Sequence, residues 1–382
     1  MRYACPNLAD STTKSLALSR VRYQAGARHP LAVEGDLCRL WRENLALATS
    51  PSAKFQWLYR DAPDAADVVF VLEATADGRA SVVGANGTAI RRYWVAGREL
   101  RAAISCDLAV DRAHRSLLPA LCLVRALRDD SAARFDFVYG FPNGKAEGLL
   151  KRAGFLQLGR ARRWAKVLRH ARYVDRLDPD TDGSVLARLA STFPRVATAG
   201  ATTYDAVRSA LTLVVTQVTA SYRVESYPAP DDRWDALWRA ARNEYDVVGA
   251  RSAAFLRWRF PASPDTQFVA LQRPGDGTLR AYAVLQFDAA TGAAHVRDLF
   301  GYHDDLGKLV NALIPLAYRA GASSLSVRFL GAPQVERLLI EHGFALREGD
   351  RAVVVDRESL AGDEALARDA SRWHLFDVDE DA

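Results

Sequence analysis

No run of apolar residues in this chain approaches the roughly 20 needed to cross a membrane as a helix. The opening residues, Met1-Arg2-Tyr3-Ala4-Cys5-Pro6, hold no apolar signal core, so the expectation is a cytoplasmic protein rather than a secreted one. Cysteine is scarce, and its four positions (Cys5, Cys38, Cys106, Cys122) are scattered; no spacing suggests a metal site, and none is expected. Cys106 and Cys122 lie in apolar surroundings and read as small core residues of a reducing compartment. Lysine is nearly missing: six of the 51 basic residues are Lys and the rest are Arg, a bias that a GC-rich genome produces without any functional cause. No basic patch interleaved with aromatics is strong enough to argue for nucleic acid. The net charge of +5 therefore reads first as a solvated, mildly basic surface. The sharper alternative is an anionic ligand held by a run such as Arg160-Ala161-Arg162-Arg163.

What is present is a globular composition, 49% apolar and 25% charged, over 382 residues, too long for one ordinary core and enough for two domains. The chain also repeats itself once. Leu37 to Trp41 has the pattern of an amphipathic helix, followed by Phe55 to Tyr59, a strand at Asp67 to Leu72, a turn at Ala76-Asp77-Gly78 and a return strand at Ala80 to Gly84. Trp234 to Trp238, Phe255 to Phe260, Gln267 to Leu271, Gly275-Asp276-Gly277 and Arg280 to Leu285 follow in the same order. Asp-Gly between apolar runs is a hairpin signal. Matching positions are offset by about half the chain, as a duplicated domain would give and a solenoid would not. Between the halves, Asp178-Pro179-Asp180-Thr181-Asp182-Gly183 is turn chemistry. Val185 to Leu189 and Tyr204 to Val218 look helical. The tail ends in Asp377, Asp379, Glu380 and Asp381, and Trp373, Leu375 and Phe376 are candidates to dock it.

The most informative stretch runs from Tyr139 to Phe155. Val138 to Phe141 is apolar, Asn143 can cap a helix, and Ala146, Leu149, Leu150 and Ala153 form one apolar face at i, i+3, i+4 and i+7. Gly154 suits a left-handed helix stop, and Phe155 returns to the core. Val335, Leu338, Leu339, His342, Gly343 and Phe344 echo it in the second half, with Pro333 suited to the first helical turn. The pattern N-x-x-A-x-x-L-L-x-x-x-G-F resembles the last conserved segment of the GNAT acetyltransferase superfamily. The resemblance implies an α/β (α+β) chain of two tandem GNAT-like domains, each a mixed, mostly antiparallel sheet flanked by helices. Residues 1–167 would be the acyl-CoA-binding domain, 168–222 a helical linker, 223–357 a degenerate second copy and 358–382 an acidic tail.

In such a fold the pyrophosphate of acyl-CoA rests where a central strand hands over to a helix, because the first backbone N–H groups and the helix dipole favour an anion. The candidate strand is Ala102 to Val110, the loop Asp111 to Ala120 and the helix Leu121 to Arg128. Against the family loop Q/R-x-x-G-x-G/A, Arg115 matches the first position and Ala120 the last, while Leu118 replaces the middle glycine and Pro119 removes a donor. The resemblance thus assigns Leu108, Val110, Arg112, Arg115, Ser116, Leu117, Leu118, Ala120 and Asn143 to the acyl-CoA side. Asp107 is the candidate general base on the central strand. The family's tyrosine acid falls at Leu150, which leaves Tyr139 as a substitute, and His114 reads as a loop histidine. In the second half Asp304 and Asp305 replace the basic loop and would repel a pyrophosphate; Arg297 and Asp298 are candidates to line a shared cleft. The implied activity is acyl transfer from acetyl-CoA or another acyl-CoA to a small-molecule or glycan-precursor amine, such as an amino sugar of cell-envelope or exopolysaccharide metabolism. Two alternatives stay open: a Fem-like transferase using aminoacyl-tRNA, and a non-catalytic binding module, to which Leu118 and Leu150 would be natural.

Overall fold

A computed structural model describes residues 3–4, 21–176, 198–205, 207, 222–358 and 360–380. The expected helix at 185–189 and most of that at 204–218 lie outside the described residues.

In the first half, β1 (Tyr3–Ala4) and β2 (Arg22–Arg28) precede α1 (Glu34–Asn44) and α2 (Pro51–Tyr59). Leu37, Leu40 and Trp41 form the buried face of α1, and Ser50 Oγ caps α2 by accepting from Ala53 N. β3 (Val69–Ala76), β4 (Arg79–Val95) and β5 (Arg98–Val110) form a meander. Its first turn places Asp77 and Gly78 at positive φ, as the Asp-Gly signal requires. Then come α3 (Leu117–Ser131), β6 (Phe137–Gly140), α4 (Gly144–Arg152) and β7 (Leu156–Val167). Asn143 Oδ1 accepts from Lys145 N and Ala146 N at 3.1 and 3.0 Å, and Gly154 takes φ +95°.

The second half repeats this order. β8 (Arg223–Tyr227), α5 (Asp232–Ala241), β9 (Val247–Gly249) and α6 (Ala253–Arg259) lead to β10 (Thr266–Gln272), β11 (Leu279–Asp288) and β12 (Ala293–Gly301). α7 (His303–Arg319), β13 (Ser324–Gly331), α8 (Pro333–Glu341) and β14 (Ala345–Val355) complete it. The last segment holds α9 (Glu364–Arg368) and β15 (Trp373–Leu375). Phe55 and Trp41 in one half, and Trp234 and Leu256 in the other, each anchor a separate core.

The two halves exchange their last strands. The sheet order is β1-β2-β3-β4-β5-β6-β14-β7-β13-β12-β11-β10-β8. β14, from the second half, lies between β6 and β7 of the first, and β7 pairs with β13 of the second. Val353, Val354 and Val355 are buried in the first core, while Trp164 and Leu168 are buried in the second. Asp356 ties the exchanged strand down: its Oδ1 accepts from Val138 N at 2.7 Å and its own N–H donates to Val138 O. Arg160 pairs with Glu147 and Arg162 with Glu336, so the basic run sits in a paired strand and two of its three arginines are neutralised.

A fragment of residues 1–167 should therefore not fold cooperatively. It lacks three valines worth roughly 1.5–3 kcal/mol each, a sum comparable with the whole stability of a domain, and it leaves the edges of β6 and β7 bare. A single sharp denaturation transition of the fragment, by circular dichroism, would contradict this.

Cys38 and Cys106 are buried thiols. Cys122 is disulfide-bonded, against the expectation of a reduced core residue.

Candidate active site

β5 carries two breaks in its pairing. On one side its ladder with β6 covers Ala102↔Phe137, Ala103↔Val138 and Ile104↔Tyr139 and then stops, although β5 continues to Val110. Gly140 marks the parting: a Cβ there would lie 3.3 Å from Ser105 O. On the other side, Ala85 faces Ala109 but Gly87 faces Cys106, so Asp107 and Leu108 oppose the single residue Asn86. This is a β-bulge, and Asp107 adopts φ +51°, a left-handed conformation uncommon for a residue with a side chain. Bulges re-aim side chains, and strain of this kind collects at functional sites.

The bulge brings Asp107 against α2. Lys54 Nζ donates to Asp107 Oδ1 at 2.7 Å, with both side chains largely buried. Burial pushes the Asp107 carboxyl up, and Lys54 opposes this; the net direction is upward. Asp107 Oδ2 is buried and has no hydrogen-bond partner among the described residues. Sequence reasoning misses Lys54, because a lone lysine in a helix carries no distinguishing pattern.

Past β5, the loop enters α3. Ser116 is the N-cap in extended conformation, and its side chain makes no capping bond. Arg112, Arg115, Ser116 and Leu117 are exposed, and Leu118 and Ala120 half-buried. The first-turn N–H groups of α3 thus end at a surface carrying basic side chains. Arg115 is partly committed: it donates to Val110 O and to Asn44 Oδ1. Asp111, the acidic residue in the loop, is held by Arg39 at 3.0 Å. His114 Nδ1 lies 2.9 Å from Tyr23 OH. Leu108 is half-buried and Val110 buried, both on the length of β5 that β6 does not cover.

Two candidates lie apart from this group. Tyr139 is fully buried, and its hydroxyl donates to Asp379 O at 3.0 Å; burial raises its pKa well above the usual tyrosine value. That placement does not support a proton-donor role. Asn143 uses its side-chain oxygen to cap α4, so the oxygen is not free for a cosubstrate.

The second half has the same two breaks, but there they are filled. β12 pairs with β13 only from Ala293↔Ser324 to Val296↔Val327, and the β11 ladder slips at Arg297. β15 inserts where β12 and β13 part: Leu375 and His374 pair with Leu330 and Gly331, and His374 Nε2 donates to Leu299 O. β15 also pairs with β9, which pairs with β4, so the tail joins both halves. Asp298 is not cleft-lining; it is fully buried, bound by Arg251 and Tyr282. Arg297 is paired with Asp377 at 2.6 Å. Asp305 is paired with Arg280 and Lys308.

Between the halves is a cavity of about 20 Å³, lined by Lys54, Trp57, Leu58, Ala89, Arg91, Ile104, Cys106 and Asp107 from the first half. Phe255, Trp258 and Arg259 from the second half and Val378 and Glu380 from the tail close it. Trp57 and Trp258 stack across the seam with ring centroids 4.4 Å apart, and each indole N–H donates to the other's backbone carbonyl. Arg259 is half-buried, and its pKa is lowered to about 10 by desolvation and by Arg297 and Arg91. It donates to the carbonyls of Val378, Asp377 and Glu380, which fixes the tail.

The sequence matches no protein-family model and no curated protein. Solved structures do resemble it. A GCN5-related N-acetyltransferase from Kribbella flavida superposes with TM-score 0.56 at 12% identity, covering 87% of this chain and 70% of that one. Another from Anabaena variabilis gives 0.59 at 10%, covering 87% and 72%. Saccharomyces cerevisiae N-myristoyltransferase with bound myristoyl-CoA gives 0.50 at 10%, covering 96% and 87%. At these identities the likeness establishes the fold, which is the GNAT fold. Among the described residues no helix is long and apolar enough to cross a membrane, and no cluster of side chains could hold a metal ion.

Proposed function

We propose that this GNAT-fold chain transfers an acyl group from acyl-CoA, acetyl-CoA first among them, to the amine of a small molecule or glycan precursor, and that the first half holds the CoA part of the donor. The observation that carries this reading is the free edge of β5 beyond Ile104, leading straight to the uncapped start of α3. A pantetheine arm has amides that can pair along such an edge like an added strand, and its pyrophosphate can meet the helix N–H groups beside Arg112. In the second half β15 lies in the equivalent gap, paired with β13, and its His374 side chain takes up Leu299 O of β12.

Asp107 is the proposed base. Its unpartnered Oδ2 takes the proton as the amine nitrogen bonds to the thioester carbon; the C–S bond breaks and the CoA thiolate leaves. Because burial raises the carboxyl, the acid limb of kcat/KM should lie above the ordinary carboxylate range. Lys54 opposes that rise, so Lys54→Met should move the limb to higher pH and Lys54→Arg should restore it; unmoved profiles in both variants would remove Lys54 from the site.

Calorimetry of the full chain with acetyl-CoA tests the reading. One site per chain is expected. No heat with any acyl-CoA would end the proposal, and two sites would contradict a second half closed by its tail. The committed Tyr139 hydroxyl favours a second reading, a non-catalytic acyl-CoA sensor; binding without turnover on any amine would support it.

A further inference from the structure

We infer that the seam cavity receives the acyl group of the donor and limits it to two or three carbons. This rests on the acyl-CoA reading above. Ile104 is the last residue of β5 paired to β6, and Cys106 and Asp107 follow on the free edge. All three line the cavity. A donor laid along that edge with its phosphates at α3 brings its thioester end to Ile104, where the cavity lies.

The size of the space sets the limit. About 20 Å³ holds roughly one water-sized group. The methyl of an acetyl group fills that space, a propionyl group exceeds it by one methylene, and longer chains must displace wall atoms. The apolar walls of the cavity are Trp57, Leu58, Ile104, Phe255, Trp258 and Val378, and Lys54, Arg91, Arg259 and Glu380 also line it. Apolar walls suit an acyl methyl, and Asp107, whose Oδ2 is buried without a hydrogen-bond partner among the described residues, lines the same cavity.

These walls are pinned from behind. Trp57 and Trp258 hold each other by two hydrogen bonds and a stack. Phe255 is covered by the Arg91 guanidinium, 3.6 Å from its ring centre, and Arg91 is anchored on Asp379. Val378 is fixed through Arg259. Close-packed walls of this kind do not yield cheaply. The limit is thus set jointly by both halves and the tail, and the second half serves the reaction by closing the acyl pocket of the first.

Calorimetry of the full chain with CoA, acetyl-CoA, propionyl-CoA and octanoyl-CoA tests the size limit. Acetyl-CoA and propionyl-CoA should bind, and octanoyl-CoA should bind at least about tenfold more weakly. Ala89→Leu, which fills the cavity, should weaken acetyl-CoA by about tenfold while leaving CoA unchanged. Ile104→Ala, which enlarges it, should bring octanoyl-CoA up relative to acetyl-CoA by a similar factor. Octanoyl-CoA binding as tightly as acetyl-CoA to the unaltered chain overturns the size limit and leaves the acyl-CoA reading standing. Failure of CoA and all three thioesters to bind overturns both. Binding to the unaltered chain separates these outcomes even where a cavity variant does not fold.

Discussion

Asp379→Ala should lower the folding stability by about 3–5 kcal/mol, the usual loss when one partner of a buried ion pair is removed. Asp379 has no exposed side-chain surface, and two guanidinium groups converge on it. Arg251 makes a two-point contact, at 3.1 Å to Oδ1 and 2.6 Å to Oδ2, and Arg91 adds a bond of 3.0 Å. Phe376 N also donates to Oδ2. With Asp298 behind Arg251, two positive and two negative charges are buried together. Burial opposes ionisation of Asp379, yet Arg251 and Arg91 outweigh it and hold its carboxyl below the ordinary value. The stability this supplies is complete above the unfolded carboxylate pKa of about 3.9 and fades as the pH falls through the lower folded value. Alanine leaves Arg251 facing Asp298 alone and leaves Arg91 without its partner. Against the 5–15 kcal/mol available to a typical domain, the loss is large. Denaturant unfolding at pH 7 measures it, and a midpoint equal to that of the unaltered protein would show that the network contributes nothing. The same variant should loosen β15, because Arg91 belongs to the first half, Arg251 to the second and Asp379 to the tail.

Asp107→Asn should reduce kcat by about 10²–10⁴-fold, the range for removal of a positioned general base. The affinity for acyl-CoA should stay within a few-fold, since the donor is proposed to use backbone groups of β5 and α3. Asparagine keeps an oxygen to accept from Lys54, so the fold should survive, and a melting curve of the variant checks that directly. Turnover equal to the unaltered enzyme would remove Asp107 as the base. A fall in donor affinity equal to the fall in turnover would assign it to binding instead.

Both predictions concern residues whose partners are far away in sequence, and this separates what could be read from what could not. Asn143 and Gly154 were legible because a cap and a left-handed stop act on the backbone within three or four residues. The hairpin at Asp77-Gly78 was legible for the same reason. The duplicated order survived because apolar periodicity records which face is buried. Periodicity does not record what buries it. β14 has the same alternation whether it pairs with its own half or the other, so the exchange with β7 left no local mark. Arg115 and Arg112 look equivalent as loop arginines, yet Arg115 is turned back onto Val110 O and Asn44. Trp57 and Trp258 lie in matching segments of the repeat, and only assembly sets them against each other.

The second half shows the same division. Asp304 and Asp305 argued against a phosphate site there, and the structure closes that half by another route, the inserted strand β15. The sequence alone determined a repeated order of helices and strands, because caps, turns and apolar spacing act within each segment, and the resemblance it carries singled out Asp107 before a basic loop and helix start. Tertiary structure alone decided that Asp107 meets Lys54, that the tail seals the second slot and that both halves share one cavity. Those outcomes depend on contacts between residues tens to hundreds of positions apart, and local backbone preferences carry no information about them.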